Sequence, residues 1–93
     1  MAFNGTEGEP ISIELASQMT ASFRQENPEA IRGWFMGKDL LNAILAQEDT
    51  QGIRMYNGIN DEGEAVLVFV GANSEQADQV DGTIADMALP CPR

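Results

Sequence analysis

Over residues 12–25 the apolar side chains of Leu15, Ala16, Met19 and Phe23 recur every three or four positions, while Glu14, Gln18 and Arg24 fall elsewhere on the wheel. This spacing predicts an amphipathic helix. Ser12 is placed to accept a bond from an orphan amide of the first turn, with Ile11 before it as a staple. Asn27-Pro28 ends the helix, because the residue before a proline is pushed out of helical geometry. Residues 31–36, short, aromatic and bounded by glycine, predict a strand. After Gly37 as cap, Leu40, Leu41, Ile44 and Leu45 form a stripe, with Asp39 in the first turn where its charge complements the helix dipole. They predict a second helix whose stripe is buried.

Residues 47–52 make a polar stop. Along 52–59, Ile53, Met55 and Ile59 alternate with Arg54 and Tyr56, which predicts a strand with the first set toward a core and the second on a partly wet face. Asn60-Asp61-Glu62-Gly63 reads as a hairpin loop, with glycine where a left-handed residue is needed. The returning run 65–70 is apolar at every position and predicts a central strand covered on both faces. Residues 72–82 read as a solvated loop or one helical turn. Residues 83–89 suit a last strand or a short helix, and their period does not choose between the two. Pro90-Cys91-Pro92 closes the chain extended and outside any ladder. Two striped helices and a two-sided strand together predict an α+β domain, with two helices packed on a small antiparallel sheet of three to four strands. Residues 1–10 form a flexible N-terminal arm and residues 11–93 the single domain.

Composition narrows the function. A chain of 93 residues with 43% hydrophobic and 22% charged residues is ordinary for one globular domain. Five Lys and Arg against fifteen Asp and Glu leave a net charge of −10. Such a field repels phosphate backbones and anionic lipid, which argues against nucleic acid and membrane surfaces as partners. No apolar stretch approaches the roughly 20 residues that a spanning helix needs. The first ten residues lack the basic start and apolar run of a signal peptide, and a lone cysteine fits a reducing compartment, so the expected location is cytoplasmic.

Catalytic parts are scarce. With no His and Cys91 as the only cysteine, there is no zinc quartet, no intrachain disulfide and no imidazole base. Gly33-Trp34-Phe35-Met36-Gly37-Lys38-Asp39 lies where a phosphate loop would lie. It places only three residues between its glycines, two of them large aromatics, and Asp39 stands where a magnesium-binding hydroxyl is required. Asp61-Glu62-Gly63-Glu64, and Asp78 with Asp81-Gly82, lack the alternating oxygens and distant Glu of a calcium loop. The expectation is a non-enzyme with no cofactor. Trp34, Arg54 and Tyr56 remain. Arginine and large aromatics dominate binding energy when they share a surface, and Arg54 and Tyr56 share one because strand residues two apart point the same way. The sequence therefore predicts a small protein-interaction module using Trp34, Arg54 and Tyr56, with another protein or a second copy as partner. Small-molecule or metal-ion binding is the alternative. In the structural alternative for these residues, Trp34 fills the core and Arg54 pairs with a local carboxylate.

The order of Ile11-Ser12, Phe23-Arg24, Phe35-Met36-Gly37-Lys38-Asp39, Ile44-Leu45-Ala46-Gln47, Gly52-Ile53-Arg54-Met55-Tyr56, Val66-Leu67-Val68-Phe69-Val70-Gly71 and Pro90-Cys91-Pro92 resembles a family of small bacterial proteins of unknown function, common in Bacteroidetes-type genomes. The similarity covers residues 11–92. Relatives often carry a cysteine near the position of Thr50 and another after the Cys-Pro, both absent here, so a role for paired thiols does not carry over. The resemblance implies bacterial origin and a compact α+β fold, and no mechanism.

Overall fold

Helix α1 (Ile13–Glu26) starts where its cap predicts: Ser12 is extended, and its Oγ accepts from the Leu15 N–H at 3.1 Å. Asn27 closes it, donating both its backbone N–H and its side-chain amide to the Phe23 carbonyl. The structure, a computed structural model, describes residues 2–86 and 88–91. After α1 come β1 (Gly33–Phe35), α2 (Lys38–Leu45), β2 (Thr50–Ile59), β3 (Ala65–Asn73), β4 (Ile84–Ala85) and β5 (Leu89–Cys91). The fold is α+β. Its strands divide between two antiparallel sheets, β1-β5 and β2-β3-β4. The chain divides accordingly into two compact units, Met1–Glu7 with Met36–Ala88, and Gly8–Phe35 with Leu89–Arg93.

In the first unit β3 is central, as its two-sided apolar run predicts, with β2 on one edge and β4 on the other. The β2–β3 hairpin runs from Ile59↔Ala65 to Thr50↔Asn73, with a bulge between Thr50 and Gly52. Strand β2 begins earlier than the polar stop implies, because Asp49 takes the turn itself at φ 60° and Thr50 is already paired. Helix α2 lies on β2 and β3. A Cβ at Gly71 would meet Ile44 Cγ2 at 3.3 Å and the side-chain amides of Gln47 and Gln79. Glycine there lets the helix approach the sheet closely. Among the described residues the buried apolar core is Ile44, Phe69, Val70, Ala72, Ala85 and Ala88, all in this unit.

Two expectations about this unit need correction. Of the α2 stripe only Ile44 is buried; Leu40 and Leu45 are exposed, because an eight-residue helix presents only about two turns to the sheet. Met55 and Ile59, expected on a core face, are 61% and 78% exposed. Only the base of the hairpin lies under α2, so its distal half meets solvent even on the apolar side.

The undecided segment 83–89 contributes β4, paired through Phe69↔Ala85 and Val70↔Ile84, and the first residue of β5; Met87 lies outside the described residues. In the second unit β5 pairs with β1 through Gly33↔Cys91, Trp34↔Pro90 and Phe35↔Leu89. Pro90 was expected outside any ladder and instead sits within one. A two-stranded ribbon consists of edges only, so a missing N–H at one position is tolerated. Pro92 lies outside the described residues. No residue of α1 is buried.

Candidate functional site

Antiparallel pairing puts Arg54, Tyr56, Val68 and Val70 on one face of the first unit's sheet. The loop after β3 then brings a carboxylate to them. Asn73 Oδ1 accepts from the N–H groups of Glu75 and Ala77, Gln76 takes a left-handed φ of 68°, and the chain turns back so that Asp78 bridges to Ala72. Asp78 Oδ1 accepts from Arg54 Nη1 at 2.7 Å, and Oδ2 accepts from the Tyr56 hydroxyl at 2.7 Å. The guanidinium also lies over the Phe3 ring, 5.2 Å from its centroid, and Phe3 is fixed by its N–H donating to the Ser74 carbonyl at 3.0 Å.

These bonds shift all three groups in the sense expected of a mutual hold. The Tyr56 hydroxyl, and then Arg54, keep the Asp78 carboxyl below the usual range, while the bond to Asp78 raises the Tyr56 phenol and the Arg54 guanidinium. A carboxylate with both oxygens occupied and a lowered pKa is a poor base, and a phenol held protonated is a poor nucleophile. The cluster fixes charge in place. Beside it Phe3, Glu7, Gln51 and Gly52 help line a hollow of about 170 Å³. Among the described residues no three Asp, Glu or Cys side chains gather as a metal ion would require.

Trp34 belongs to the second unit, where β1 holds it half-buried opposite Pro90. It lines an open groove of about 350 Å³ together with Met19, Thr20, Phe23 and Arg24 of α1 and Ile31, Arg32 and Gly33. The helical spacing that aligns Met19 with Phe23 builds one wall, and both are substantially exposed, at 55% and 43%. Among the described residues neither Arg24 nor Arg32 has a carboxylate within ion-pairing distance.

Of the three residues singled out from sequence, the structure thus brings Arg54 and Tyr56 together on one carboxylate and puts Trp34 in a groove of its own unit. By sequence Asp78 is a solvated loop charge and Phe3 part of a flexible arm, whereas Asp78 holds Arg54 and Tyr56 and Phe3 is tied to Ser74. A signal for Asp78 was present: Asn60 and Asn73 each open a five-residue loop, so the first hairpin loop foretells a second that returns residue 78 to the sheet. Met19 and Phe23 lie on the stripe that the sequence predicts to pack on a sheet, and both are exposed. No helix among the described residues is long and apolar enough to cross a membrane. No protein-family model matches the chain, and neither a curated protein nor a solved structure matches it.

Proposed function

We propose that the chain is a small interaction module that receives a partner's apolar side chains in the groove between α1 and β1. The observation that carries this reading is the uncovered stripe of α1: a helix of 14 residues with none buried, whose Met19 and Phe23 open onto Trp34. An isolated helix of that length is marginal in water, and helices in proteins are held by packing of their apolar face. Exposed aromatic and Met side chains flanked by arginine are the composition of a binding surface. Trp34 keeps its place as a contact residue, with Met19 and Phe23 beside it, whereas Arg54 and Tyr56 direct their polar groups to Asp78. The module is cytoplasmic in this reading, where the free thiol of Cys91 stays reduced.

Trp34 is the sole tryptophan, so its emission reports on the groove directly. Peptides selected by display against the folded protein should shift that emission on binding. Met19→Ala with Phe23→Ala should weaken them by about tenfold or more. Binders that leave Trp34 emission unchanged and tolerate both substitutions would place the interaction face elsewhere.

A further inference from the structure

The groove is basic in a chain that is otherwise acidic. All acidic residues except Glu9, Glu14, Glu26 and Glu29 fall in the first unit, whereas the groove is rimmed by Arg24 and Arg32. The first unit carries a surface of matching character, the tip of the β2–β3 hairpin. There Ile59, 78% exposed, stands beside the loop residues Asp61 and Glu62, and among the described residues neither acid has a cationic partner. The tip is held in shape by Asn60, whose Oδ1 accepts from the N–H groups of Glu62 and Glu64, each at 2.9 Å. An apolar knob edged with carboxylates and an apolar groove edged with guanidiniums are complementary in apolar character and in charge.

We propose that the occupant of the groove is a second copy of this chain, its hairpin tip inserting Ile59 among Met19, Phe23, Ile31 and Trp34 while Asp61 and Glu62 meet Arg24 and Arg32. This inference rests on the groove being an interaction face. Each chain offers one groove and one knob, so two copies can exchange both contacts about a two-fold axis, or each copy can pass its knob to the next. Two chains of charge −10 repel at long range, but at about 0.15 M salt that repulsion is screened beyond about 8 Å, whereas charges in contact keep most of their attraction.

Complementation tests this geometry. One variant carries Arg24→Glu and Arg32→Glu, which spoils the groove; a second carries Ile59→Ser, Asp61→Ser and Glu62→Ser, which spoils the knob without offering charge to the spoiled groove. In sedimentation velocity at about 0.15 M salt the wild type should self-associate, and each variant alone should do so about tenfold more weakly or worse. The mixture should form a heterodimer and stop there, with a shift in Trp34 emission from the knob-spoiled chain. Restored pairing also shows that both variants fold. A wild type that stays monomeric at about 1 mM overturns the proposal, and so does one that assembles while the mixture does not. If display-selected peptides still move Trp34 emission in that event, the groove remains an interaction face and only its occupant is wrong.

Discussion

Asp78 gathers Arg54 and Tyr56 onto one carboxylate, and this has a readable pH signature. Its pKa is lowered in the folded chain by the Tyr56 hydroxyl first and Arg54 second, against about 3.9 in the unfolded chain. The stabilisation it gives is therefore complete above the unfolded value and is lost as pH falls through the lowered one. Tyr56 has the opposite sign. Its pKa is raised by donation to Asp78, so its contribution is complete below about pH 10 and is lost as pH rises through the raised value. Asp78→Asn should lower the urea midpoint at neutral pH and flatten its fall between about pH 5 and 2. Tyr56→Phe should flatten the loss above about pH 10 and leave the acid side steeper than in Asp78→Asn. Some acid sensitivity remains in Asp78→Asn, because hydrogen bonds from Ser74 lower Asp49 and backbone N–H groups near Asn4 lower Glu7. An Asp78→Asn curve that overlays the wild type would show that the carboxylate does not hold its two neighbours in solution.

The two loops flanking β3 are built alike and differ at one telling position. In the first, Gly63 N–H donates to the Asn60 carbonyl with φ 79°; in the second, Gln76 N–H donates to the Asn73 carbonyl with φ 68°. Only glycine, which has no Cβ, takes that conformation without steric cost, so Gln76→Gly should stabilise the protein by about 0.5–1 kcal/mol and Gly63→Ala should destabilise it by about 1–2 kcal/mol in urea unfolding. Helix α2 gives a second contrast. Ile44→Ala, at a fully buried position, should cost about 2–5 kcal/mol, and Leu45→Ala, at an exposed one, about 0.5 kcal/mol or less. Local chemistry made much of this legible in sequence: Ser12 starts α1, Gly37 starts α2, Asn60 to Gly63 turns the hairpin, and the run at 65–70 marks the central strand. What stayed hidden depends on distant pairing. Nothing local in Trp34 or Pro90 says that residues 33–35 pair with 89–91, so the sequence points to one sheet and leaves Pro90 outside any ladder. Periodicity likewise reports that α1 has an apolar face without reporting what, if anything, covers it. Arg54 and Tyr56 were read as co-facial because strand geometry guarantees it, and their shared carboxylate was missed because Asp78 returns through a loop whose left-handed residue is not glycine.

Burial and charge are both distributed unevenly along this chain, and each has a measurable consequence. The buried apolar residues belong to the first unit, while α1 buries none, so in native-state hydrogen exchange the amides of Phe69 to Ala72 should be the slowest and those of α1 markedly faster. Equal protection in α1 and β3 would show that α1 is held by packing that its exposed side chains do not reveal. The charge effect has a competing contribution that must be weighed to fix its sign. Most of the acidic residues crowd the first unit, against two basic side chains there, Lys38 and Arg54, and their repulsion opposes the compact state. Salt weakens that repulsion and also the Arg54–Asp78 attraction. The ion pair acts at 2.7 Å, well inside the Debye length of about 10 Å at 0.1 M, whereas like charges spread over a sheet and its loops interact at distances comparable to that length. Screening therefore removes more repulsion than attraction. In urea, which is uncharged, the unfolding midpoint should rise between about 20 mM and 300 mM sodium chloride at neutral pH, and this rise should shrink below pH 4 as the carboxylates protonate. The measurement belongs on the groove-spoiled variant at low concentration, where association does not add to stability. A midpoint that falls with salt would mean that the Arg54–Asp78 pair outweighs the repulsion of the carboxylates around it.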